Sequence, residues 1–79
     1  MSDNNILDTK GLNCPLPVLK ARRAMRDLTN GDVLTVLATD PASYIDFQHF
    51  CDTSGHELMD AQEDEAEGVF TYVIRCVKG

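Results

Sequence analysis

Cys14 lies in the stretch GLNCPLPVLKARR, residues 11 to 23, directly before Pro15, and Pro17 follows one residue further on. Proline at the first position of a helix loses nothing, because its missing N–H would have had no intrahelical partner there and its φ is already helical. Pro15 therefore marks a helix start and puts Cys14 at the N-cap, where Ser, Thr, Asp or Asn normally accepts from the first-turn amides. Pro17 still falls in that first turn, so the free N–H groups are chiefly those of Leu16 and Val18. A thiolate accepts from them better than a thiol does, and the helix start carries roughly half a positive charge. Local geometry alone thus predicts a lowered pKa for Cys14.

A thioredoxin-like CxxC motif would hold its resolving thiol three residues after the nucleophile, and here that position is Pro17. One-cysteine chemistry is left: a persulfide, an acyl or mixed-disulfide adduct, or a sulfenic acid. The bland reading of Cys14 is a small buried residue, but a loop-to-helix junction after Gly11 is a poor place to bury one. Cys51 and Cys76 lie on apolar faces and read as core. His49 and Cys51 project about 200° apart on a helix, with His56 beyond the helix-ending Gly55, so no metal site is expected. Three widely spaced cysteines also argue against a disulfide scaffold.

The chain has 79 residues and a net charge of -6, which suits one small domain, residues 1–79, with residues 1–5 flexible. Residues 1–39 hold five basic and four acidic residues, whereas residues 40–79 hold two and nine. The positive charge is concentrated just after Cys14, with Arg22 and Arg26 one turn apart. An acidic chain with one basic helix favours a local contact or an anionic ligand over a nucleic-acid face, and for Arg22 and Arg26 docking of an acidic partner surface stands level with a merely solvated helix face. Direct nucleic-acid binding is further disfavoured by the scarcity of aromatic residues for base stacking. Neither a secretory signal nor a membrane span is visible, so a cytoplasmic, monomeric protein is expected.

The elements that must position Cys14 follow from periodicity. Ile6 to Thr9 reads as a strand, and Pro15 to Leu28 as a helix whose apolar stripe is Val18, Ala21, Met25 and Leu28, ended by Asn30-Gly31. VLTVLA, residues 33–38, reads as a buried strand. In TDPAS, Asp40 is placed to cap a second helix with Pro41 at its first position, and that helix closes near Gly55. Residues 57–63 and 69–77 read as two strands around the acidic turn DEAEG, with Phe70, Tyr72, Ile74 and Cys76 on one face. The order βαβαββ, with right-handed crossovers, gives an α+β two-layer sandwich with both helices on one sheet face. The other face stays partly open.

GLNCPLP before a helix, then TDPAS, then FCDTSGHEL resembles the TusA/SirA sulfur-carrier family over nearly the whole chain. The resemblance implies a mixed four-stranded sheet in which the last strand is antiparallel and lies between its neighbours. It also implies that Cys14 receives sulfane sulfur as a transient persulfide, with no other cofactor. The donor would be a cysteine desulfurase or rhodanese-like protein, and the acceptor a second protein. By position, Pro15 and Pro17 would shape the thiol's loop with Gly11 and Leu12, and Asp40 would be the aspartate near it. Members of the family serve tRNA thiolation, molybdenum-cofactor supply or dissimilatory sulfur oxidation, and turnover belongs to donor and acceptor together. The competing reading is a non-catalytic regulatory or protein-interaction module in which Cys14 is structural or senses redox state.

Overall fold

The computed structural model describes residues 4–78. The elements run β1 (Asn4–Thr9), α1 (Leu16–Arg26), β2 (Val33–Ala38), α2 (Ser43–Ser54), β3 (Glu57–Asp64) and β4 (Val69–Arg75). The expected flexible segment 1–5 falls partly outside the described residues, and Asn4 and Asn5 open β1.

The sheet order is β1-β2-β4-β3. β1 and β2 are parallel, and β4 runs antiparallel to both β2 and β3. This is the expected mixed four-stranded sheet with its last strand in the middle. Parallel β1 and β2 need a crossover, which α1 supplies, whereas β3 and β4 close through a tight turn. Gly68 serves that turn with φ 69°, and its N–H bonds to the Asp64 carbonyl at 2.7 Å.

Alternation decides which sheet face is covered. In β2, Leu34, Val36 and Ala38 are buried, and in β4 Tyr72 and Ile74, continued by Cys76 beyond the strand's end. α1 sets Pro17, Ala21 and Met25 against this face at four-residue spacing, and α2 adds Ser43, Phe47, Phe50 and Cys51. Phe47 stacks on Tyr72 with centroids 4.8 Å apart and meets Phe50 edge-on at 6.5 Å. The buried Tyr72 hydroxyl is satisfied by Ser43 Oγ at 2.7 Å, which removes the cost of an unpaired polar group in the core. The opposite face carries the row Ile6, Thr35, Val73 and Asp60 across all four strands. Ile6 on that row is 70% exposed, so the face is open, as the two-layer arrangement requires.

Both helices start later than their prolines suggest. α1 begins at Leu16 with Pro15 as N-cap, and no side chain caps it; Cys14 is therefore not the cap. The Leu16 N–H is already bonded to the Asn13 carbonyl at 2.9 Å, across a cis Cys14–Pro15 peptide, so the backbone takes the amide that the thiol was expected to meet. α2 begins at Ser43 with Ala42 as N-cap, so Asp40 does not cap it directly. Instead the Ser43 N–H closes a turn onto the Asp40 carbonyl at 2.9 Å. α1 also stops at Arg26, two residues before Leu28. α2 ends as expected at Gly55, whose φ of 87° is the left-handed conformation that closes helices.

Because Phe47 is fully buried between Tyr72 and Phe50, Phe47→Ala leaves a cavity the sheet cannot collapse to fill. The variant is expected to lose about 3–5 kcal/mol of unfolding free energy, measured by chemical denaturation. A loss under about 1 kcal/mol would show that this stack does not hold α2 to the sheet.

Candidate functional site

The site is built at the C-terminal ends of the parallel strands β1 and β2, where the chain leaves each strand to begin a helix. Thr9, fully buried at the end of β1, donates its hydroxyl to the Leu37 carbonyl at 2.6 Å. Its own carbonyl accepts the Leu12 N–H at 3.1 Å. Gly11 turns the chain with φ 85°, where a side chain would be strained, and donates its N–H to Thr39 Oγ1 at 2.9 Å. Leu12 is half-buried and Gly11 exposed. The loop is thus sewn to the end of β2 before it reaches the cysteine.

Asp40 makes the last of these ties. Its Oδ2 accepts the Cys14 N–H at 2.5 Å, and its Oδ1 accepts the Ala42 N–H at 3.1 Å. The second bond is an Asx-type turn that leads into α2. Sequence reading placed Asp40 as a cap; the structure makes it a clamp between the thiol loop and the approach to α2. Pro17, in the first turn of α1, is buried while Pro15 and Cys14 stay exposed, so one proline anchors the start of the helix and the other fixes the backbone at the thiol.

Cys14 is the one exposed cysteine; Cys51 and Cys76 are buried. Burial pushes the Cys51 thiol up to about 11, which keeps it protonated and unreactive at neutral pH. The Cys14 thiol is also raised, contrary to the sequence expectation. Its hydrogen bond to the Asp46 carboxylate is the largest cause, followed by slight desolvation and then by the charges of Asp46 and Asp40. The Leu16 amide, bonded to the Asn13 carbonyl, is engaged by the backbone, and the charges that act on the thiol are those of acidic neighbours. Asp46 lies in the first turn of α2. Sequence reading passed over it, although an acid one turn into a helix tied to the cysteine loop was the available signal.

Arg22 and Arg26 lie along α1 on a recess of about 330 Å³ that they share with His56 and Lys78. Arg22 sits over the Phe50 ring, 5.9 Å from its centroid, and Lys78 Nζ bonds to the Arg26 and Leu28 carbonyls. Among the described residues, no carboxylate lines this recess. His56 accepts the Val77 N–H on Nδ1 at 3.0 Å, and Cys51 is in the core, so the histidines and Cys51 are not brought together as a ligand set. Among the described residues, no helix is long and apolar enough to cross a membrane.

The family model for sulfurtransferase TusA matches residues 5–76. The sulfur carrier protein TusA of Pseudomonas putida is 49% identical over 70 residues, covering 89% of this chain and 85% of the relative. The sulfur carrier protein TusA of Allochromatium vinosum is 45% identical over 69 residues, covering 87% and 88%. The crystal structure of a SirA-like protein from Desulfitobacterium hafniense superposes with a TM-score of 0.80 at 28% identity, covering 92% of this chain and 97% of that one. With the βαβαββ fold, one exposed cysteine before two prolines, and a family match spanning almost every residue described, the chain belongs to the TusA family of sulfur carriers.

Proposed function

We propose that Cys14 takes up sulfane sulfur as a persulfide from a protein donor of the cysteine desulfurase or rhodanese-like class and passes it to an acceptor protein. The observation that carries this reading is accessibility: of three thiols only Cys14 is exposed. A sulfur received there stays there, because Cys51 and Cys76 are buried and Pro17 occupies the place of a resolving thiol. The exposed, braced loop suits an adduct that a second protein must reach. The acceptor belongs to tRNA thiolation, molybdenum-cofactor supply or dissimilatory sulfur oxidation, the three outlets in keeping with the family.

The recess carrying Arg22, Arg26, His56 and Lys78 supports a docking role for the first helix. Charge at the rim of a docking surface acts mainly on the rate of encounter. An acidic patch on the donor is the complementary surface for these cations.

Two outcomes check this reading. Intact-protein mass measurement after incubation with a cysteine desulfurase and cysteine is expected to show addition of one sulfur to the wild-type chain and none to Cys14→Ser. An unchanged wild-type mass with desulfurase, rhodanese and polysulfide alike would overturn the reading, as would uptake by Cys14→Ser. Replacing Arg22 and Arg26 together by Glu is expected to slow uptake from the protein donor about tenfold or more at low salt. Alkylation of Cys14 by a small neutral reagent should stay unchanged, and equal donor rates for variant and wild type would remove these arginines from the docking surface.

A further inference from the structure

A second recess lies between the first turn of α2 and the hairpin of β3 and β4, and its lining is of the opposite character to the one along α1. It measures about 340 Å³ and is lined by Tyr44, Glu63, Phe70 and Tyr72, with Ala61 and Gln62. The Phe70 and Tyr72 rings are parallel to within 5°, their centroids 6.3 Å apart. Tyr72 is fully buried, stacked on Phe47 and with its hydroxyl taken by Ser43, so it forms the floor. Tyr44 is 44% exposed at the mouth, and Gln48 donates to its hydroxyl at 2.8 Å. Glu63 is exposed and stands opposite Phe70 in the β3–β4 register. Among the described residues no Lys or Arg lines this recess. The two cations of residues 40–79 are both at the other end of β4, where Arg75 pairs with Glu57 and Lys78 bonds to the Arg26 and Leu28 carbonyls.

Aromatic rings present negative faces, and a carboxylate beside them completes a site for a cation. A guanidinium suits it better than an ammonium, being flat enough to lie on a ring and able to offer a carboxylate two parallel N–H donors. We propose, on the sulfur-carrier reading above, that this recess receives an arginine side chain of the acceptor protein, with Tyr44 and Phe70 against its plane and Glu63 against its charge. A free small cation gains little here, since an exposed ion pair and a surface cation–π contact are each weak. A side chain on a protein already held near the thiol meets the recess at an effective concentration of roughly millimolar.

The recess is at the right end of the molecule for this. The pairing of Ala38 with Phe70 puts its β4 wall beside the end of β2, to which the Cys14 loop is tied through Thr39 and Asp40. Hydrogen bonds lead from that loop to the floor: Cys14 N–H to the Asp40 carboxylate, Ser43 N–H to the Asp40 carbonyl, and Ser43 Oγ with the Tyr72 hydroxyl. A carrier with one thiol meets donor and acceptor in turn at the same atom. The recess of Arg22 and Arg26 attracts an acidic surface and repels a basic one, and the recess of Glu63 does the reverse. With the acidic donor surface assigned to α1, the arginine belongs to the acceptor.

The test titrates N-acetyl-arginine amide into the full chain and follows backbone amide resonances, a readout that does not depend on sulfur. The Tyr44, Glu63 and Phe70 signals are expected to move together, with half-saturation at roughly tens of millimolar. N-acetyl-citrulline amide, of the same shape without the charge, should bind about two- to fivefold more weakly, and Glu63→Gln and Tyr44→Leu should each weaken the arginine response by about the same factor. Glu67→Gln, which alters an exposed acid of the same hairpin outside the recess, should leave the response unchanged. Sulfur uptake from a cysteine desulfurase should be equal for Glu63→Gln and wild type. No movement of these signals, equal responses to the arginine and citrulline amides, or equal losses in Glu63→Gln and Glu67→Gln would overturn the cation site. Slower uptake by Glu63→Gln would overturn its assignment to the acceptor. A wild-type chain that binds the arginine amide as expected but takes up no sulfur would instead contradict the sulfur-carrier reading.

Discussion

The Asp40 carboxylate accepts the Cys14 amide on one oxygen, at 2.5 Å, and the Ala42 amide on the other, at 3.1 Å, so the thiol loop and the entry to α2 hang from one charged group. Hydrogen bonds from neutral amides to a carboxylate are stronger than those to a neutral acceptor. The rest of the site follows from this joint. α2 starts where the Asp40 turn releases the chain, and its first turn carries Asp46, whose carboxylate raises the pKa of the thiol whose backbone Asp40 holds. The buried stack of Phe47 on Tyr72 and the Ser43–Tyr72 hydrogen bond keep that same first turn against the sheet. Core packing and site geometry thus share the N-terminal half of one helix.

Local periodicity made most of the fold legible in advance. The run Val33–Ala38 and the alternation of β4 bury what their spacing says they should, and of the stripe expected on α1 Ala21 and Met25 are buried while Val18 and Leu28 are half-buried, because one covered sheet face imposes a period of two on strands and a four-residue spacing on helices. The glycine stop at Gly55 was equally readable, since a left-handed residue after a helix is a local requirement. The exposure of Cys14 at a loop-to-helix junction was readable from Pro15 and Pro17. Its isolation from other thiols was readable from Pro17 in the resolving position and from the apolar settings of Cys51 and Cys76.

What sequence could not supply was every feature that depends on partners far along the chain. Prolines mark where a helix is permitted to begin. They do not say that the Asn13 carbonyl will take the Leu16 amide first, or that Asp40 will spend its carboxylate on an amide 26 residues away. The direction of the Cys14 shift failed for the same reason. A helix start lowers a thiol's pKa only if its amides are aimed at sulfur, whereas here the Asp46 and Asp40 carboxylates raise it, Asp46 being carried by α2, which packs beside α1. The concentration of positive charge after Cys14 was visible in the sequence, whereas the convergence of Lys78 and His56 on Arg22 and Arg26 needed the C-terminal strand to return through the centre of the sheet.

The clamp at Asp40 is most directly tested by nuclear magnetic resonance of the Cys14 and Ala42 amide protons, followed from neutral pH into acid. If one carboxylate holds both, the two resonances move together with a common midpoint, and the Cys14 amide is protected from solvent exchange at neutral pH. A Cys14 amide that exchanges as freely as an open loop, or that stays fixed while Ala42 titrates, would contradict the account.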